Sequence, residues 1–526
     1  MGASLKKKIG IASLIMMASV MASRVIGIFR ESVIAYIGGR GVAVDAYQVA
    51  FIIPDILNHI VASGFLSLTF IPIFSKYVAQ NREAEGWRVF SIILNGFGLL
   101  LICLLVVCEW ATPELIALAA PGWNDPAATA MVITMTRIIL PAQFLFFSGG
   151  MFMAVQFAKE KFFLPALAPL IYNGGIILGG LLLGPQLGMV GFAWGVLAGA
   201  FLGNFALQYR GAKLLGMKWS ITLKLWHPEL VNYIKITLPL MFGLTMAFSH
   251  ELFIRFFGSF LPAGSISGLN YANRVMQVLV GVFGQAVGAA TYPFLSKMVA
   301  ENNLHEANRL LNQTLRYLAL IIPVAALVMV LRHEVVAILF ERGKFHAADT
   351  AQTARMLMFM MPGAVGFAAQ TLVVRGYYAT QNTWFPTLFT TLAVLVSLPV
   401  YYLAMRAFGP VGIASAGAVS AMLQASLLFT LWNRRSDNRE ARQVPLFYGG
   451  MTLLAILTGI FLAWFKGAAL AGLEATSFWG YILVCGATGM MFLAVLAGVG
   501  SLFRIAEIME PLRAVVSKAK RIGRPV

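Results

Sequence analysis

The chain has 526 residues, of which 59% are hydrophobic and only 11% charged, and its mean hydropathy is +0.81. That leaves far too little polar surface for a soluble globule and places the chain among all-α, polytopic membrane proteins. The excess of 39 Lys and Arg over 21 Asp and Glu does not point to nucleic acid: the basic residues gather at the ends of apolar segments, and no aromatic-basic platform for single strands is visible.

The opening imitates a signal peptide, with Lys6, Lys7 and Lys8 ahead of an apolar run. The run continues through Arg24 and Arg30 to Ile37, long enough at about 1.5 Å per residue to cross a hydrocarbon core of about 30 Å. It is read as an uncleaved first helix over 9–37. Further helices are predicted at 46–78, 89–110, 129–158, 163–184 and 188–209, then at 228–260, 267–299, 313–332, 351–379, 385–406 and 411–433. A last pair at 446–465 and 478–503 makes about fourteen. Only helices or closed barrels satisfy the backbone in lipid, and these runs are too long for barrel strands.

An internal repeat organises the chain. Pro72-Ile-Phe-Ser-Lys-Tyr-Val-Ala-Gln-Asn81 returns 221 residues later as Pro293-Phe-Leu-Ser-Lys-Met-Val-Ala-Glu-Asn302. Pro141 and Pro362, Pro165 and Pro386, and Gly188 and Gly409 keep the same register. The expected plan is two parallel six-helix repeats, residues 1–210 and 227–433, joined by a cytoplasmic linker at 211–226. Two additional helices follow within 434–506, then a basic cytoplasmic tail at 507–526. Parallel repeats of this kind place a transporter's site between the halves and work by rocking one against the other.

Loop charge sets the orientation. Lys76 with Arg82 and Arg88, Lys159 with Lys161, Arg210 to Lys224, Lys297 with Arg309, and Arg434 to Arg442 fall on the side of Lys6. That side is expected to be cytoplasmic, with both termini inside. Arg40, Arg342, Lys344, Arg406 and Lys466 are exceptions on the opposite side.

Charges inside the spans are the candidate functional groups, since each costs between roughly 2.5 and 17 kcal/mol in hydrocarbon and must face protein or a watery cavity. Arg24 and Arg30 lie six residues apart, about 240° net around the helix, and flank a broad face. The neighbouring Arg30 and Glu31 are expected to point in different directions. Asp55 and His59, and Glu251 and Arg255, have i,i+4 spacing for helix pairs, while Arg274 has no such acid. Asp45 is open to two readings, a member of the same cavity or the cap of the helix beginning at Ala46. A planar guanidinium offers two bonds to a phosphate and keeps its charge when buried, so Arg24, Arg30 and Arg274 suit a pyrophosphate. Gly174-Gly175, Gly179-Gly180 and Gly195-xxx-Gly199 read as close helix contacts. Cys103, Cys108 and Cys485 have no paired metal spacing. No P-loop, HExxH or GxSxG motif appears, so no cofactor, no metal and no enzymatic activity are expected. Energy is expected from a coupling monovalent cation, the membrane potential or the substrate gradient.

Several stretches resemble the MurJ, or MviN, lipid II flippases of the multidrug/oligosaccharidyl-lipid/polysaccharide exporter superfamily. They include Ser23-Arg24-Val25-Ile26-Gly27 with Arg30-Glu31, Asp45-Ala46, Ala120-Pro121-Gly122-Trp123, Gly264-Ser265-Ile266-Ser267, Tyr271-Ala272-Asn273-Arg274 and Gly343-Lys344-Phe345. The resemblance implies fourteen helices and export of an undecaprenyl-pyrophosphate-linked peptidoglycan precursor, lipid II, to the outer leaflet of the bacterial plasma (inner) membrane. Membrane lipids are then its surroundings, and Arg24, Arg30, Arg274 and Asp45 its substrate-binding residues. Glu31, Asn58, Arg255 and Asn273 are additional cavity residues. Asn58 stands where several members have arginine and Asn273 where some have aspartate, so a flippase for another polyprenyl-linked glycan stays open. A small-molecule antiporter of the same superfamily would want acids and aromatics in its cavity, against the cation excess here. A glycan polymerase would want acids on a large external loop, whereas Glu114, Asp125, Glu341 and Asp349 sit on short segments.

Overall fold

A computed structural model describes residues 3–59, 64–123, 125–245, 249–382, 384–469 and 477–510. The basic tail from 511 onward lies outside the described residues. Every regular element among the described residues is helical, as backbone satisfaction in lipid demands. The chain forms two compact units, Met1–Ser267 with Arg342–His346, and Gly268–Glu341 with Ala347–Val526.

The first unit contains α1 (Ala3–Gly38), α2 (Val42–Ala50), α3 (Ile52–Leu57), α4 (Gly64–Ala79), α5 (Glu83–Trp110), α6 (Thr112–Ala119), α7 (Pro126–Ile139) and α8 (Ala142–Ala158). It continues with α9 (Phe163–Leu187), α10 (Met189–Gly199), a π-helical turn Ala200–Ala206, α11 (Leu207–Leu214), α12 (Pro228–Thr245), α13 (Ser249–Gly258) and the first residues of α14 (Ser265–Leu279). Of the glycines expected to be contacts, Gly175, Gly179, Gly180, Gly195 and Gly199 are contacts and Gly174 is not: a Cβ on Gly174 would meet nothing within 4 Å, whereas one on Gly175 would lie 2.5 Å from the Gly199 Cα, so α9 and α10 pack backbone to backbone. The break between α2 and α3 has a local cause. Pro54 has no N–H to give the Ala50 carbonyl, which instead accepts from Thr136 Oγ1 on α7 at 3.2 Å.

The second unit holds the rest of α14, a π-helical turn Val280–Ala286, α15 (Val287–Ala300), α16 (Leu304–Leu318), α17 (Ile321–Val330), α18 (Arg332–Phe340) and α19 (Ala347–Ala379). Then come α20 (Trp384–Phe408), α21 (Pro410–Arg435), α22 (Gln443–Ala469) and α23 (Phe478–Leu502).

The repeat is visible in local geometry. α20 spans the residues of α9 displaced by 221, and α21 begins 221 residues after α10. Three pairs of left-handed residues keep that register: Asn81 and Asn302 (φ 57° and 55°), Glu160 and Gln381 (58° and 56°), and Gly188 and Gly409 (57° and 58°). Each pair marks a helix end or junction, where a positive φ turns the chain sharply. Among the described residues eleven helices are long and apolar enough to cross a membrane. The predicted spans outside that set, 9–37, 46–78 and 228–260, are those carrying Arg24, Arg30, Glu31, Asp55, Glu251 and Arg255.

Candidate functional site

On α1, Arg24 is half-buried and Arg30 has 18% side-chain exposure. Arg30 and Glu31 do not point apart as expected. The guanidinium curls back so that Nη2 donates to Glu31 Oε1 at 2.6 Å, while Nη1 donates to Asn173 Oδ1 on α9 at 2.9 Å. Glu31 is only 3% exposed, and a buried carboxylate without a cation beside it costs several kcal/mol. The length of arginine makes this i,i+1 pairing reachable. Asn173 also donates to the Pro169 carbonyl at 2.8 Å, which fixes its amide and hence the arginine. In the sequence only the adjacent Gly174-Gly175 drew notice.

Asp45 is not the cap of its own helix. α2 starts at Val42 with Gly41 ahead of it, and Asp45 lies buried within the first turn. It caps α14 instead: Oδ2 accepts from the Gly264 N–H and Oδ1 from the Ser267 N–H, both at 2.6 Å. A carboxylate here satisfies donors the helix cannot satisfy itself and sits at the positive end of its dipole. Gly264, at φ 84°, turns the chain into this position, and Arg40 Nε holds its carbonyl at 2.7 Å.

Two more of the resembling motifs close round the same unit. The Lys344 N–H donates to the Tyr36 carbonyl at 3.0 Å. Gly39 and Gly343 both have positive φ, and a Cβ on either would strike the backbone of the other segment, at Lys344 and Tyr36 respectively. Gly122 approaches so near Phe260 that a Cβ would lie 2.6 Å from its backbone, and its N–H donates to Ser259 Oγ at 3.2 Å. Gly122 and Gly343 were legible as motif residues, but Gly39 and the contacts of all three were not.

Arg255 was expected to pair along its own helix with Glu251. Its Nη1 donates to Asp55 Oδ2 on α3 at 2.6 Å, and with 3% side-chain exposure the charge needs such a partner. The expected Asp55 and His59 pair is correspondingly different, since the His59 Nδ1 meets the Asp55 backbone carbonyl at 2.6 Å. Asn58 is the half-buried residue that ends α3.

In the second unit, α14 carries Asn273 and Arg274. Arg274 is half-buried; Asn273 is fully buried, and neither its Nδ2 nor its Oδ1 has a hydrogen-bond partner among the described residues. This unit also holds a cavity of about 1030 Å³ bounded by α17, α19, α21 and α22. Its lining on α22 runs from Val444 to Lys466, about 33 Å at about 1.5 Å per residue, the thickness of a hydrocarbon core. Almost everything along it is aliphatic or aromatic, and Met358 of α19 contributes to the wall.

An all-helical chain built on a repeated set of helices, with ion pairs buried in its spans and a bilayer-long apolar groove, is a polytopic membrane transporter in class. Its family follows from comparison: the chain belongs to the family described as Lipid II flippase MurJ, whose profile matches residues 34–483. It is 28% identical over 443 residues to a probable lipid II flippase MurJ of Rhizobium meliloti, covering 81% of this chain and 80% of that one. It is 29% identical over 421 residues to the lipid II flippase MurJ of Burkholderia cenocepacia, covering 78% and 81%. A solved structure of lipid II flippase MurJ in an inward closed conformation superposes with a TM-score of 0.74 at 22% identity, covering 92% of this chain and 99% of that one. An inward-facing multidrug resistance MATE family transporter of the MOP superfamily superposes at 0.66 with 14% identity, covering 81% and 99%. Both share the fold.

Proposed function

We propose that this chain is a lipid II flippase, carrying undecaprenyl-pyrophosphate-linked peptidoglycan precursor from the cytoplasmic to the periplasmic leaflet of the bacterial plasma membrane by alternating access. The work is transport rather than catalysis, drawn from a monovalent cation or the membrane potential. Both termini lie in the cytoplasm on this reading, which the basic loops support.

The observation that carries the reading, in a member of this family, is the apolar groove along α22. A polyprenyl tail needs an apolar path as long as the bilayer is thick, and a small-molecule antiporter does not. Arg24, Arg30 and Arg274 donate to the pyrophosphate during transport, each charge-assisted bond contributing about 1.5 to 3 kcal/mol. Arg30 is already committed to Glu31 and Asn173, so it serves the substrate by exchanging these partners.

The test is complementation of a strain depleted of its own lipid II flippase, with membrane level measured beside growth. Wild type restores growth. Alanine at Arg24 or Arg274 abolishes it at normal level, alanine at Arg30 abolishes it even when Glu31→Gln is added to offset the lost ion pair, and lysine restores it in part, because it keeps the charge and loses the two-pronged donor. A well-inserted wild-type protein that fails to complement would point to another carrier-linked glycan.

A further inference from the structure

The groove in the second unit is not uniform along its length. Among the described residues lining it, Arg332 and Lys466 are the only formally charged ones, and they meet at one spot. Arg332 Nη1 donates to the Met329 carbonyl at 2.7 Å, and Lys466 Nζ to the next carbonyl, Val330, at 3.2 Å. Both carbonyls belong to the last turn of α17, whose negative end attracts cations. Lys466 also bonds Glu334 Oε1 at 2.6 Å. That local role accounts for part of their capacity. It leaves most of the guanidinium donors of Arg332 and one ammonium proton of Lys466 without a partner among the described residues, and it leaves one net positive charge at the rim.

We infer that this rim is a phosphate-binding station for the polyprenyl carrier, at the end of the groove opposite the basic loop 434–442. It holds the headgroup phosphate of a lipid whose chain lies in the groove. The inference rests on the flippase reading and deepens it, since it gives the lipid a place to dock at the outer leaflet as it leaves or before it returns. Groove length decides between lipids. An acyl chain of an ordinary phospholipid reaches one leaflet, about 15 Å, and would fill half of a path about 33 Å long. A polyprenyl chain fills it all. Arginine and lysine side by side supply the donors a phosphate takes.

The experiment uses the full chain in phosphatidylcholine nanodiscs, with undecaprenyl phosphate and the uncharged undecaprenol as probes. Wild type should prefer the phosphate by about tenfold or more. Combining Arg332→Gln, Lys466→Gln and Glu334→Gln removes both cations without stranding the buried acid. It should cut that preference to about threefold or less, with undecaprenol affinity and thermal stability unchanged. An unchanged preference in the triple variant overturns the station, as does equal displacement of undecaprenyl phosphate by phosphatidylglycerol. Failure of wild type to bind either polyprenyl lipid overturns the flippase reading along with it, so the two failures are distinguishable.

Discussion

Replacing Asp45 tests whether a buried carboxylate holds the start of α14. In the wild type its two oxygens each accept a backbone N–H at 2.6 Å, from Gly264 and Ser267, and its side chain is buried. Asp45→Ala leaves both donors without a partner, at about 1 to 3 kcal/mol each, or about 2 to 6 in all. Loss of the charge at the helix start adds about 0.3 to 1 kcal/mol. Asp45→Asn keeps one acceptor but turns an NH2 toward the other donor, so roughly half the effect is expected, about 1 to 3 kcal/mol, or about 5- to 150-fold in a local opening equilibrium. Hydrogen exchange of a peptide covering 260–270 reads that equilibrium directly. Protection at Gly264 and Ser267 should fall in the order wild type, Asn, Ala, with Arg40 on the Gly264 carbonyl preserving part of the turn. Protection in Asp45→Ala within about twofold of wild type, well below the expected change, would refute the cap.

Other perturbations separate structural from transport roles. Arg30→Ala takes away the guanidinium bonded to the buried Glu31 and should destabilise the protein by up to about 3 to 5 kcal/mol; adding Glu31→Gln should recover thermal stability in detergent but not transport. Recovery of both would remove Arg30 from substrate handling. Asp55→Ala leaves Arg255 buried and unpaired and should likewise lower the melting temperature, while Asp55→Leu with Arg255→Met should melt nearer wild type, as replaced buried pairs commonly do; a double variant as unstable as the single would contradict this. Gly343→Ala forces a side chain into φ 61° and against the Tyr36 carbonyl, at about 1 to 3 kcal/mol. Gly27→Ala, with nothing within 4 Å of the added carbon, should melt at or slightly above wild type.

What the sequence determined by itself was whatever depends on short stretches of chain. Spanning helices follow from apolar length, because lipid leaves the backbone no partner outside its own helix. The repeat shows in composition and returns as matched left-handed residues at Asn81 and Asn302, because helix ends are set by their own few residues. Family motifs marked Asp45, Gly264 and Gly343 without saying what they touch. Tertiary structure alone decided that the Asp45 carboxylate caps a helix 219 residues away, that Asp55 neutralises Arg255 across 200 residues, and that Arg30 turns to Glu31 with Asn173 behind it. A buried charge takes whichever partner packing brings within bonding distance, and helical spacing lists only the partners on its own helix. The groove along α22 belongs to the same class: each wall residue is an ordinary lipid-span residue, and the space between helices exists only once they have packed.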